Sequence, residues 1–147
     1  MRKTMVVVVA AIAVGLGALS APASANRIGN EGCTPGYWKN HTNWEETTPT
    51  TLFSDLFSDG TSGWLVGVTM QEALAGGGGS GVAGAERVLA RAAAAAWLNA
   101  AHEGLGYPLR RNYFVPLVVA ALESGDRDAM LALAAELDAL NNLGCPL

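Results

Sequence analysis

Cys33 and Cys145 stand near the two ends of everything that follows a secretion signal, and they constrain this chain more than any other feature. Arg2 and Lys3 form a positive n-region, Met5 to Leu19 an almost unbroken apolar run, and Ala23-Ser24-Ala25 a small-residue cleavage site. Those are the three parts of a secretory signal peptide. The apolar run is shorter than the roughly 20 residues a bilayer span needs, and Pro22 follows it closely, so residues 1–25 read as a cleaved signal and not as an anchor. No second long apolar stretch follows, and no cysteine sits at the cleavage site to take a lipid. The expected product is secreted and extracellular, with retention at the cell surface left open. An even cysteine count in an oxidising space implies a disulfide. A Cys33–Cys145 bond closes most of the mature chain into one loop, a stabilisation of up to about 5 kcal/mol in the chain-entropy picture.

Removing 25 residues from 147 leaves 122, one ordinary domain with enough length for a real core. Arg2 and Lys3 leave with the signal, so 7 basic residues face 13 acidic ones in the mature chain. That balance argues against nucleic acid and anionic membrane surfaces as partners, since both bind through clustered Lys and Arg. Half of the chain is hydrophobic, which excludes intrinsic disorder for most of it.

Helix signals recur along the chain and no alternating strand pattern competes. Residues 26–32 are short, polar and glycine-containing, and predict a flexible lead-in. Thr34 followed by Pro35 is an N-cap and a favoured first helical residue, so a short helix through His41 is expected despite Gly36, with Tyr37 and His41 on one face. Thr47 to Gly63 predicts mostly loop, with one helical turn around Leu52 to Phe57. Thr69 and Glu72 spell a capping box for a short helix that Gly76 stops, and Gly76 to Gly81 predicts a flexible link. Alanine dominates from Ala85 to Glu103, a helix with Leu89, Ala93, Ala96 and Ala100 along one face. Phe114, Leu117, Val118, Ala121 and Leu122 predict a buried stripe on the next helix, with Pro116 near its start. Gly125 ends that helix and Asp126 caps the last one, whose stripe is Met130, Leu133, Ala134, Leu137 and Leu140. The predicted fold class is therefore all-α: a small disulfide-closed helical domain over residues 33–147, with about five helices. The last three form a C-terminal bundle, and a long irregular N-terminal segment packs beside it.

The nine residues Cys33-Thr34-Pro35-Gly36-Tyr37-Trp38-Lys39-Asn40-His41 concentrate a thiol, two large aromatics, a cation, an amide and an imidazole. Later come Leu98-Asn99-Ala100-Ala101-His102, Tyr107-Pro108-Leu109, Ser124-Gly125-Asp126 and the ending from Leu140 to Leu147 through Asn141-Asn142-Leu143-Gly144-Cys145-Pro146. Together these segments resemble a recurrent module of secreted bacterial and surface proteins, over nearly the whole mature chain. The resemblance implies a secreted, disulfide-closed module and carries no established activity with it.

His41 and His102 are the only histidines, and both fall in those segments. If the fold brings them together, a carboxylate such as Glu45 or Glu103 would complete a three-ligand zinc site with an open position, or would orient an imidazole as general base. The competing reading places His102 near Arg87 and Arg91, opposite the apolar stripe, as a solvated or hydrogen-bonded histidine. Tyr37, Trp38 and Trp44, near Lys39, Asn40 and Glu45, with Trp64 beyond them, suit a face that stacks on sugars; their competing role is to fill a small core around the disulfide.

Other signatures fail on inspection. Gly78-Gly79-Ser80-Gly81-Val82 lacks the last glycine of a nucleophile elbow. The glycine run lacks a phosphate loop's Gly-Lys-Ser/Thr, and neither histidine belongs to a His-Glu-x-x-His pair. Asp55, Asp59 and Gly60 match a calcium loop only in part, since Phe57 and Val66 stand where oxygen ligands are wanted; Asp59-Gly60 predicts a turn. Asn40-His41-Thr42 is a glycosylation sequon.

The expectation is a non-enzymatic module: a cell-surface or matrix component, or a binder of an extracellular ligand with glycans and surface proteins as candidate partners. Tyr37, Trp38, Lys39, Asn40, His41, Trp44 and His102 are its binding residues, and no cofactor is expected. The alternative is an extracellular hydrolase or metal-binding protein built on His41 and His102.

Overall fold

The computed structural model describes residues 29–57 and 63–147, so the signal segment, the start of the lead-in and the Asp59-Gly60 turn lie outside the described residues. Six α-helices account for most of the rest: α1 (Pro35–Asn40), α2 (Phe53–Phe57), α3 (Met70–Ala75), α4 (Gly81–Ala101), α5 (Arg111–Ser124) and α6 (Arg127–Asn141). A short 3-10 turn spans Gly63–Leu65. Among the described residues there is no strand, only two isolated bridges, Gly32 with Gly144 and Leu52 with Thr69. The all-α, disulfide-closed expectation holds. The helical turn expected around Leu52 to Phe57 is α2, which brings the five longer helical signals to six helices.

Local chemistry explains the ends of these helices. The Thr34 hydroxyl accepts from the Tyr37 amide at 3.1 Å, with Pro35 at the first helical position. At α3 the capping box is complete: Thr69 Oγ1 accepts from the Glu72 amide, and Glu72 accepts from the Thr69 amide at 2.8 Å. The Thr69 amide and then the Thr69 hydroxyl, both donating to Glu72 Oε2, hold the Glu72 carboxyl below its ordinary range. The Asp126 carboxylate caps α6 by accepting from the Asp128 and Ala129 amides, and Gly125 closes α5 in the left-handed region.

α4 is the axis of the molecule: α1, α3, α5 and α6 all pack on it. It begins at Gly81, four residues before the alanine-rich stretch, and ends at Ala101. Within the exposed glycine run ahead of it, Gly79 folds back onto the helix. A Cβ on Gly84 would lie 2.1 Å from the Gly79 carbonyl oxygen, so only glycine lets the link fold back over the first turn of α4. Nor does α4 bury a single stripe. Ala92 through Asn99 are all buried, as expected for a helix surrounded by partners, and alanine is what allows so many helices to approach it.

The α5 stripe differs from expectation at one position. Phe114, Val118 and Leu122 are buried, but Leu117 is 44% exposed. The buried set follows i, i+4, i+8, and Leu117 falls on the other side of that row. Pro116 sits in the second turn of α5, not at its start. The carbonyl it leaves without a helical partner belongs to exposed Asn112, where water can serve it. On α6 the expected stripe is present and runs one position further, to buried Asn141.

Cys33 and Cys145 are bonded across a sequence separation of 112, with a Cα–Cα distance of 4.5 Å. The described part of the lead-in is tied down as well. The Glu31 amide donates to Gly106 O and the Gly32 amide to Gly144 O, both at 3.0 Å. A Cβ on Gly32 would lie 2.1 Å from the Leu140 carbonyl oxygen, so the approach to the clasp requires glycine.

Candidate functional site

The interior behind the clasp contains a polar cluster that sequence reasoning named only as motif letters. Asn99 is fully buried on α4, and all four of its side-chain hydrogen-bonding positions are used. Its Oδ1 accepts from the Cys33 amide at 2.9 Å and from Trp38 Nε1 at 2.8 Å. Its Nδ2 donates to Cys33 O and to Asn141 Oδ1, each at 2.9 Å. Because the Cys33 backbone presents one donor and one acceptor, only one orientation of the Asn99 amide satisfies both. Asn141, also fully buried, donates to Ala92 O at 2.9 Å and accepts from the Tyr107 hydroxyl at 2.9 Å. Burial first, and then the Asp138 carboxylate, push the Tyr107 hydroxyl well above its ordinary pKa, so it stays a donor. The spacing Met130, Ala134, Leu137, Asn141 was the available signal, since it continues a buried row into a polar residue.

The exposed side of α1 meets the end of α4 at an open groove. Tyr37, Trp38, Asn40, His41, Thr42, Asn43, His102 and Leu147 line it, around a cavity of about 370 Å³. The two histidines therefore border one surface feature. His41 caps the C-terminus of α1 and stacks on Tyr37, with ring centroids 4.1 Å apart. Its Nδ1 lies 2.8 Å from Tyr37 O. A carbonyl only accepts, so Nδ1 carries the proton, and the lone pair of the neutral ring is on Nε2.

His102 has the opposite arrangement. Its Nδ1 accepts from the Gly104 amide at 3.1 Å, which leaves Nε2 as the protonated nitrogen. That Nε2 faces Glu45 Oε1 at 4.0 Å. The expected neighbourhood of Arg87 and Arg91 is corrected: His102 is the C-cap of α4, where the chain leaves the helical period, and its ring lies 5.9 Å from that of Trp38. Of Glu45 and Glu103, Glu45 is the carboxylate that faces His102. Among the described residues no group of three or more His, Cys, Asp or Glu side chains is arranged to hold a metal ion.

The remaining expected binding residues divide between core and surface. Trp38 is 3% exposed and Trp44 9%. Trp38 gives its N–H to Asn99, and Trp44 Nε1 donates to His41 O at 2.7 Å. Both indoles are core, and Trp38 forms only a wall of the groove. Lys39 and Asn40 are exposed; the Lys39 carbonyl accepts from Gln71 Nε2, and Asn40 Nδ2 donates to Gly36 O at 2.9 Å. Trp64 lies elsewhere, under the Arg87 guanidinium.

Fold and groove together define a small all-α domain, clasped by one disulfide, that presents aromatic, amide and imidazole groups on an open face. No family model matches this chain, and no curated protein or solved structure matches it.

Proposed function

We propose that this protein is a secreted, non-enzymatic module of the kind its Cys-Thr-Pro-Gly-Tyr-Trp-Lys-Asn-His motif resembles, and that it binds an extracellular glycan through the α1 groove. The supporting observation is the stack of half-buried Tyr37 and exposed His41 beside Asn40, Asn43 and His102 on one open surface. Flat rings flanked by amide and imidazole hydrogen-bonding groups match the apolar face and hydroxyl rim of a sugar. Trp38, a wall of the groove, is held by its hydrogen bond to Asn99, and a pre-ordered surface of that kind binds without a large ordering cost. The disulfide suits an oxidising, extracellular location, and no helix among the described residues is long and apolar enough to cross a membrane.

A hydrolase built on the same two histidines draws on a weaker observation, the approach of Glu45 to His102. Both nitrogens of His102 already face partners, which leaves only His41 Nε2 free to take a proton from water.

The test is retention of the purified mature protein on insoluble chitin, cellulose and peptidoglycan, alongside His41→Ala and Asn40→Ala. Retention on at least one polymer, weakened about tenfold or more in each variant, is the expected result. No retention on any of the three, or release of soluble sugar that His41→Ala abolishes, would overturn the reading. Secretion is checked separately: the protein recovered from culture medium should begin at Asn26 by N-terminal sequencing.

A further inference from the structure

Charge sorts the sugars that the α1 groove can take. Among the described residues no Asp, Glu, Lys or Arg is part of its lining, which is aromatic, amide, hydroxyl, imidazole and aliphatic. Glu45 faces His102 Nε2 but lines a smaller cavity with Trp44 and Leu98, and Lys39 lines neither. A sugar carboxylate or sulfate is recognised by Arg or Lys, and a free sugar ammonium by a carboxylate. The lining therefore matches an uncharged sugar.

One residue of the lining separates the uncharged sugars from one another. Leu147 is 44% exposed, although it borders the groove. A Cβ built on Gly104 would lie 3.8 Å from Leu147 Cδ2 and 3.1 Å from His102 Cε1, so Leu147 and His102 flank the same glycine. The His102 ring is in turn 5.9 Å from that of Trp38. Leu147 and the Trp38 wall thus give the groove an apolar part beyond the end of α4. The part at the C-terminus of α1 offers amides: Asn40 uses Nδ2 on Gly36 O, which leaves Oδ1 to accept, and Asn43 is exposed in the same lining.

We infer, on the glycan-binding reading of this groove, that it selects N-acetylated amino sugars. An acetamido group is planar and carries one N–H donor, one carbonyl acceptor and one methyl. Asn40 Oδ1 takes the N–H, Asn43 Nδ2 gives to the carbonyl, and the methyl lies against Leu147 and Trp38, while the sugar ring stacks on the His41–Tyr37 pair. The groove's volume of about 370 Å³ is near the lower end of the roughly 300–1,000 Å³ of small-molecule sites, a size in which one sugar unit meets both the stack and Leu147. A sugar with only a hydroxyl at that position has no methyl for the apolar part. A methyl seated in an apolar site discriminates by about tenfold or more.

Isothermal titration calorimetry of the mature protein with two oligosaccharides tests this. Chitotetraose, an oligomer of N-acetylglucosamine, differs from cellotetraose only in bearing an acetamido group where the latter has a hydroxyl. Chitotetraose should bind about tenfold or more tightly than cellotetraose. Leu147→Ala should weaken chitotetraose about tenfold and leave cellotetraose within about twofold of the wild type, with an unchanged far-UV circular dichroism spectrum, since Leu147 is at the surface. If cellotetraose binds as tightly as chitotetraose, or if Leu147→Ala weakens both equally, the groove still binds glycan but the acetamido selection is overturned. If neither oligomer binds and no polymer retains the protein, the glycan reading fails and the selection with it. N-acetylated units occur in both chitin and peptidoglycan, so competition by chitotetraose on each polymer shows which of them this groove holds. Retention that chitotetraose leaves untouched on both overturns the inference.

Discussion

Two clusters of asparagine and aromatic residues lie on either side of Trp38, and their chemistry diverges sharply. Inward, Asn99, Asn141 and Tyr107 form a network in which every hydrogen bond of Asn99 is satisfied away from water. Outward, Asn40, Asn43 and His41 border an open groove, where water is always an alternative partner. Trp38 belongs to both, donating its N–H inward while its ring forms a wall of the groove. The same residue types therefore do different things because of burial. A buried amide without partners costs its full desolvation, whereas an exposed one loses little. The inner cluster determines where the clasp sits; the outer one is free to meet a ligand.

Breaking the inner cluster should have the largest effect. Asn99→Ala strands the Cys33 amide and carbonyl, the Trp38 N–H and one acceptor on Asn141, and urea unfolding should show a loss of about 4 kcal/mol. Replacing both cysteines by serine should cost somewhat less, about 3 kcal/mol, since the Cys33 backbone stays anchored to Asn99 while the loop-closure advantage is lost. If that double variant proves more damaging than Asn99→Ala, the covalent bond and not the amide network is what holds the ends together.

Tyr107→Phe removes one neutral hydrogen bond, and Asn141 Oδ1 keeps its bond from Asn99, so a loss of about 1 kcal/mol is expected. This position also carries a pH signature. The fold raises the Tyr107 pKa, so as pH climbs past about 10 the unfolded chain releases its proton before the folded one does. The contribution is fully present below that point and declines as pH rises toward the folded-state value. Stability measured from pH 9 to 12 should thus fall more steeply in the wild type than in Tyr107→Phe, and parallel curves would remove Tyr107 from the account.

The smallest effects on stability belong to the groove. Asn40→Ala and His41→Ala should each change the unfolding free energy by no more than about 0.5 kcal/mol, while glycan retention falls. A large stability loss at either position would make the outer cluster structural too, and the contrast would disappear.

Helix starts and stops were readable because they depend on neighbours within four residues: Thr34-Pro35, the Thr69–Glu72 box, Gly125 and Asp126 all act as their spacing predicts. The clasp was readable because compartment and an even cysteine count suffice to pair two thiols. What local pattern misassigned is instructive. Leu117 looks like core because periodicity alone cannot say how wide a buried face is. α4 looks one-sided because alanine has too little amphipathic contrast to reveal partners all around it. His102 was placed by helical phase, but the helix ends just before it, and beyond a helix end phase no longer predicts direction.

Long-range matters lay beyond the reach of pattern. That Asn99 receives the backbone of Cys33, 66 positions away, and that His41 and His102 border one groove, depend on how α1 docks against the end of α4. Docking is a sum of many contacts between residues far apart in the chain, each weak and none encoded in its neighbours. Composition, caps and cysteines set the class of fold and its closure; packing alone chose which asparagines were buried and which were left to the solvent.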